Sequence, residues 1–200
     1  IRELNGDYYV EGLISTSHPY LVPEDEMLEM IPKETLESFA QQIINDERSR
    51  IMGLHHSEGT TGEFFGKADV ENHPPRVIQL ADGEYGLYVT TKLNHEPTAE
   101  QIAKEYESGV LNSFSITFDA SASDDTLEFD CKGDDLVKIL NPGVKLFGYT
   151  AASNPVNPNA VAVAYGYREF REVVPVEERE KAKWTTESVP VVVEEKREQI

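Results

Sequence analysis

Cysteine is nearly absent from this 200-residue chain. The single one, Cys131, excludes an internal disulfide and any Cys-pair metal site, and it fits a reducing compartment. Basic residues are scarce: 18 Lys and Arg stand against 37 Asp and Glu, a net charge of −19. A field of that sign repels phosphate backbones and anionic lipid, so neither nucleic acid nor a membrane surface is expected as a partner. No apolar run approaches the ~20 residues of a membrane span. The opening residues lack the basic and apolar pattern of a signal peptide. Phosphate-cradling GxxxxGK[ST] and GxGxxG loops are missing, as are HExxH and any helical His pair. Asp124-Asp125 and Asp134-Asp135 do not have calcium-loop spacing. Neither a cofactor nor a metal is expected.

The chain is 39% hydrophobic and 9% aromatic, a globular composition, and long enough to bury a substantial core. Residues 166–200 hold nine of the acids and seven of the bases, so nearly all the negative excess lies before them. Two regions follow from this. Residues 1–167 form the folded domain, and residues 168–200 an extension that is partly disordered or docks on a partner. The acidic body serves solubility, or it attracts basic substrate segments.

Alternation and turn residues mark strands at 8–16, 50–56, 62–70, 76–81, 85–93, 113–118, 144–152 and 161–167. Asp82-Gly83 is a hairpin turn signal between the fourth and fifth of these. Leu36, Phe39, Ala40, Ile43 and Ile44 share one face of a helix opened near Pro32. A second helix is expected from the capping box Thr98-Ala99-Glu100-Gln101 to about Gly109. Strands without a βαβ rhythm, with two helices, indicate a mainly β, α+β fold.

Ser113-Phe114-Ser115-Ile116-Thr117-Phe118 alternates strictly, which puts three apolar side chains on one face and small hydroxyls on the other. That face leaves room for a substrate above Ser115, as a nucleophile requires. His55-His56 supplies a base; the strand period puts His56 with Met52 and Leu54, and His55 with Ile51 and Gly53. Taken singly, each pattern also has an ordinary explanation: a half-buried strand with a Ser/Thr outer face, and surface histidines at a strand end. A zinc site drawing on His55, His56, His73 and His95 is a weaker alternative for want of ligand spacing. Cys131 reads as a small packed residue.

In order, these segments resemble the prohead (capsid maturation) protease family of tailed viruses, which is related in fold to herpesvirus assemblin. The resemblance covers about residues 8–165. The opening strand, Val22-Pro23 and the helix after it resemble the family's N-terminal block. Ile51-Met52-Gly53-Leu54-His55-His56 resembles the strand ending in its catalytic histidine, and Phe65-Gly66-Lys67 and Gly86-Leu87-Tyr88-Val89 its next landmarks. The helix ending Glu107-Ser108-Gly109-Val110-Leu111 leads into Ser113-Phe114-Ser115-Ile116-Thr117-Phe118, which resembles its Gly-Leu-Ser-Ile-Gly-Phe nucleophile strand, and Asn154 to Ala160 resembles its Pro-Ala-Asn-Pro block.

The resemblance implies a closed or partly closed antiparallel β-barrel flanked by helices, and a serine endopeptidase. Ser115 would be its nucleophile and His56 its general base, with His55 as the other candidate. Its substrates would be the major capsid protein and scaffold segments. It would act in the host cytoplasm inside the assembling prohead, with self-association of the chain compatible with that role. Ser113 and Thr117 depart from the family by replacing glycines beside the serine. Gly148 stands where many members carry the acid that orients the histidine. Another group (His55, Asp69 or Asp119) would then orient it, or the site is a Ser-His dyad, or the chain is an inactive, protease-like shell component.

Overall fold

In the computed structural model, residues 6–23, 26–54, 64–119, 127–132 and 135–168 are described. In chain order the elements are β1 (Asp7–Thr16), β2 (Tyr20–Val22), β3 (Met27–Met30), α1 (Lys33–Asn45), β4 (Ile51–Leu54), β5 (Gly66–Ala68), β6 (Arg76–Gln79) and β7 (Tyr85–Leu93). They continue with α2 (Pro97–Glu107), β8 (Ser113–Asp119), β9 (Leu127–Lys132), β10 (Asp135–Leu140), β11 (Lys145–Ala152) and β12 (Ala162–Arg168). The fold is mainly β with two helices.

The larger sheet runs β12-β1-β7-β5-β4-β11-β8, with β6 also on β7. Its pairs are antiparallel except one: β4 and β11 run parallel. The two ends of this path meet where Ser113 bridges Val161. There Phe114 N–H donates to Ala160 O and Ala162 N–H to Asn112 O, both at 2.9 Å. All eight strands read from the sequence belong to this sheet. The second sheet, β2-β3-β10-β9, has no counterpart among them. Its first two strands are three and four residues long, too short for a period to register.

The helices form as their apolar spacing dictates. α1 buries Leu36, Phe39, Ala40 and Ile43. Polar side chains stitch it to the β10–β11 connection. Thr35 Oγ1 donates to Leu140 O at 2.6 Å, and Gln42 both donates to Val144 O (2.9 Å) and accepts from Leu146 N–H (2.8 Å). α2 starts one residue before the expected capping box. Glu96 is its N-cap, no side chain caps it, and Pro97 opens it, since a residue without N–H costs nothing in the first turn. Thr98 therefore lies inside the helix. The stop near Gly109 agrees, with φ of +76° there. Tyr106 of α2 packs its ring 6.2 Å from that of Phe114, which in turn lies 6.1 Å from the Tyr149 ring. This buried aromatic row joins α2, β8 and β11.

One expected strand comes out shorter: β5 covers only Gly66–Ala68 of the 62–70 stretch, of which residues 62 and 63 lie outside the described residues. β4 covers Ile51–Leu54 of the expected 50–56, and residues 55 and 56 lie outside the described residues. The extension from residue 169 onward lies outside the described residues. Among the described residues, no helix is long and apolar enough to cross a membrane.

Candidate active site

Ser115 sits on β8 with Thr150 of β11 opposite, and Thr150 in turn lies opposite Gly53 of β4. Direct register partners project to the same face. One face of these three strands therefore carries Ser115, Thr150 and Gly53, while the other carries Ile116, Tyr149 and Met52. The second row is anchored in the core by Tyr149 and Met52, both fully buried. This is the division the alternation predicts. The openness expected above the serine is not found: Ser115 retains only 8% of its exposure. Among the described residues its Oγ has no hydrogen-bond partner.

Ser115 is one of the residues lining a cavity of about 210 Å³, which also takes in Ile116 and Phe118 from the other face of β8. Ile14 and Ser15 of β1, and Val156 and Asn157 of the β11–β12 loop, line it too. Tyr20, Val22, Glu29 and Lys138 close it from the second sheet. Glu29 is buried and accepts from Tyr20 Oη and, at 2.7 Å, from Lys138 Nζ. Burial, reinforced by the Glu29 carboxylate, pushes the Tyr20 hydroxyl well above its ordinary pKa. Among the described residues, Ser15 Oγ is buried with no hydrogen-bond partner.

The Asn-Pro loop is held by one side chain. Asn157 Nδ2 donates to Thr16 Oγ1 at 3.2 Å, and its Oδ1 accepts from Asn159 N–H at 3.0 Å, an Asx turn. Val156 and Asn157 are thereby fixed at the cavity wall.

His55 and His56 both lie outside the described residues. Among the substitutes for the orienting acid, Asp69 lies beside the start of β4, away from Leu54, since Ala68 N–H donates to Arg50 O. Its carboxylate is taken by His73 Nδ1 (2.9 Å) and Asn72 Nδ2 (3.0 Å). Asp119 is exposed, opposite Lys145, and four residues along β8 from Ser115, about 13 Å at 3.3 Å per residue. Gly148 lies at a break in register between β8 and β11 with φ of +153°. A side chain is disfavoured there, so an acid at 148 would strain the backbone.

Of the zinc alternative's ligands, His73 pairs with Asp69 and His95 Nε2 with Asp7 at 2.9 Å. Among the described residues no group of three or more His, Cys, Asp or Glu is placed to hold a metal ion.

The sequence reading missed His18, which forms a hydroxyl–imidazole–carboxylate chain. Its Nδ1 is 3.2 Å from Thr16 Oγ1, and its Nε2 donates to Asp82 Oδ2 at 2.7 Å. Thr16 is fully buried and tied to Asn157, so no substrate carbonyl reaches its hydroxyl, and the chain is structural. Also missed were Ser15, Tyr20, Glu29 and Lys138. For Lys138 a signal existed in the alternation of Leu127-Glu128-Phe129-Asp130-Cys131, the strand paired with its own.

No family model, no curated protein and no solved structure matches this chain.

Proposed function

We propose that the chain is a serine endopeptidase of the prohead-protease type, with Ser115 as nucleophile and His56, or His55, as general base. The observation that carries the reading is Ser115 itself, which sits on a small-residue strand face, has no hydrogen-bond partner for its hydroxyl among the described residues, and is one of the residues lining a cavity of about 210 Å³. Sheet order supports it, since β4, the strand that leads to the histidines, is two places from β8. The meeting of the sheet's ends at Ser113 and Val161 supports a closed, assemblin-like barrel.

In this reading Ser115 Oγ bonds to the scissile carbonyl carbon and its proton passes to the imidazole. The carbonyl electron pair moves onto oxygen. Collapse breaks the C–N bond, the imidazole returns the proton to the leaving amine, and water then releases the acyl group. Capsid and scaffold segments inside an immature shell are the proposed substrates.

A fluorophosphonate probe tests the nucleophile, because only an activated serine labels. Labelling that disappears in Ser115→Ala and in one of His55→Ala or His56→Ala is the expected result. Labelling that survives Ser115→Ala removes that residue from the role. The 8% exposure of Ser115 and the glycine at 148 favour a second reading, a protease-like shell component without chemistry. A folded chain that never labels would establish it over the first.

A further inference from the structure

The cavity beside Ser115 has a composition that specifies what enters it. Five of its lining residues are aliphatic or aromatic hydrocarbon: Ile14, Val22, Ile116, Phe118 and Val156. Its charged pair is balanced, with Lys138 Nζ 2.7 Å from Glu29 Oε2 and Tyr20 on the other carboxylate oxygen. A charged guest would find no unmatched counter-charge among these side chains, since Lys138 and Glu29 are already paired. Asn157 is committed to Thr16 and to Asn159 N–H. Ser15 differs: among the described residues its Oγ is buried and unpartnered at the same wall. A buried hydroxyl left without a partner is destabilising. Rotation about one side-chain bond re-aims it.

We propose that this cavity is a recognition pocket for one neutral side chain of the bound polypeptide, with an apolar stem and a hydrogen-bonding tip that satisfies Ser15, glutamine being the best match. The volume suits this. About 210 Å³ exceeds the roughly 150 Å³ that accommodates benzene in an engineered protein cavity. The inference rests on the protease reading for its meaning, since it names the residue class selected next to the nucleophile. It also separates two effects of charge. The acidic body acts on basic segments at a distance, while the pocket itself takes an uncharged group.

The test uses binding rather than cleavage. Full-length ¹⁵N-labelled protein is titrated with N-acetyl-glutaminamide, N-acetyl-leucinamide, N-acetyl-lysinamide and N-acetyl-glutamic acid amide, following the amides of Ser15, Ile116, Val156 and Asn157. Saturable shifts in the order glutamine, leucine, then the charged pair are expected. In Ser15→Ala, whose spectrum reports its folding directly, the glutamine preference over leucine should fall at least threefold. Equal binding of leucine and glutamine by the parent protein would overturn the role of Ser15, and binding of either charged amide as tightly as glutamine would overturn the neutral pocket. Failure of fluorophosphonate labelling with this binding order intact would sink the protease reading and leave the pocket standing.

Discussion

Glu29 on β3 and Lys138 on β10 are direct register partners in a parallel strand pair, and their side chains meet at 2.7 Å beneath the Ser115 cavity. The carboxylate is almost wholly withdrawn from water, while the Lys138 side chain keeps 18% of its exposure. The pair thus ties the four-stranded sheet together and forms the polar floor of the site.

Removing one partner leaves a buried charge uncompensated. Lys138→Met should destabilise the protein by about 3 kcal/mol, the low end for such pairs because the lysine is partly solvated. Adding Glu29→Leu to it should restore most of that loss. Urea denaturation of the single and double variants checks both. A double variant no more stable than the single one would show that the carboxylate, once unpaired, is not the source of the cost.

Deeply buried tyrosines make the fold sensitive to alkali. Burial raises Tyr20, Tyr106 and Tyr149 above the ordinary value of 10.0. A raised folded value means that stability is complete below the unfolded value and is lost as pH climbs past it. Urea midpoints should therefore hold steady up to about pH 10 and decline beyond it. Tyr106→Phe should decline less steeply. A flat profile to pH 11.5 would contradict the burial of these hydroxyls.

Asp7 has the opposite sign. A hydrogen bond from Lys92, at 2.6 Å, is the largest influence holding its carboxyl below 3.8; burial opposes it and His95 assists. Its contribution to stability is present above that value and fades as pH falls through the lowered one. In Lys92→Met the Asp7 carboxyl, followed by carbon NMR, should titrate at or above 3.8. An unmoved midpoint would exclude Lys92 as the cause.

Gly12 permits the close approach of β1 to the junction of β8 and β12. A Cβ there would overlap Val161 O and come within 2.8 Å of Ala162 Cα, and backbone atoms cannot step aside. Gly12→Ala should cost about 3 kcal/mol, the upper end for overpacking. Thermal melts would show it as a drop of more than 6 °C, and a change below 2 °C would mean that the strands separate readily there.

His18 separates resemblance from role. Although it carries a hydroxyl and a carboxylate at its two nitrogens, His18→Ala should leave fluorophosphonate labelling of Ser115 within twofold of the parent. Loss of labelling in a folded His18→Ala protein would place the base at 18 instead of 55 or 56.

Elements whose signal is local were legible without coordinates. The strict alternation of residues 113–118 set the two faces of β8, Asp82-Gly83 set the β6–β7 hairpin, and the apolar spacing from Leu36 to Ile43 set the buried stripe of α1. These depend on the period of the backbone, which a sequence displays directly. The second sheet was not legible. β2 and β3 are too brief for a period, and β3, on which β2 pairs, is held by a partner over a hundred residues away in β10. For that reason the floor of the cavity went unseen.

Composition, alternation and turn chemistry by themselves determined a mainly β chain, its two helices, and a serine on a small-residue strand face, because each is written within a few neighbouring residues. Only the tertiary structure decided that Ser115 is covered rather than open. It alone brought Glu29, Lys138 and a Ser15 unpartnered among the described residues to that serine's cavity, and put Asp69 beside the start of β4. Those relations join residues far apart in the chain through strand register and sheet order, and both are fixed by the packing of the whole core rather than by any local run of residues.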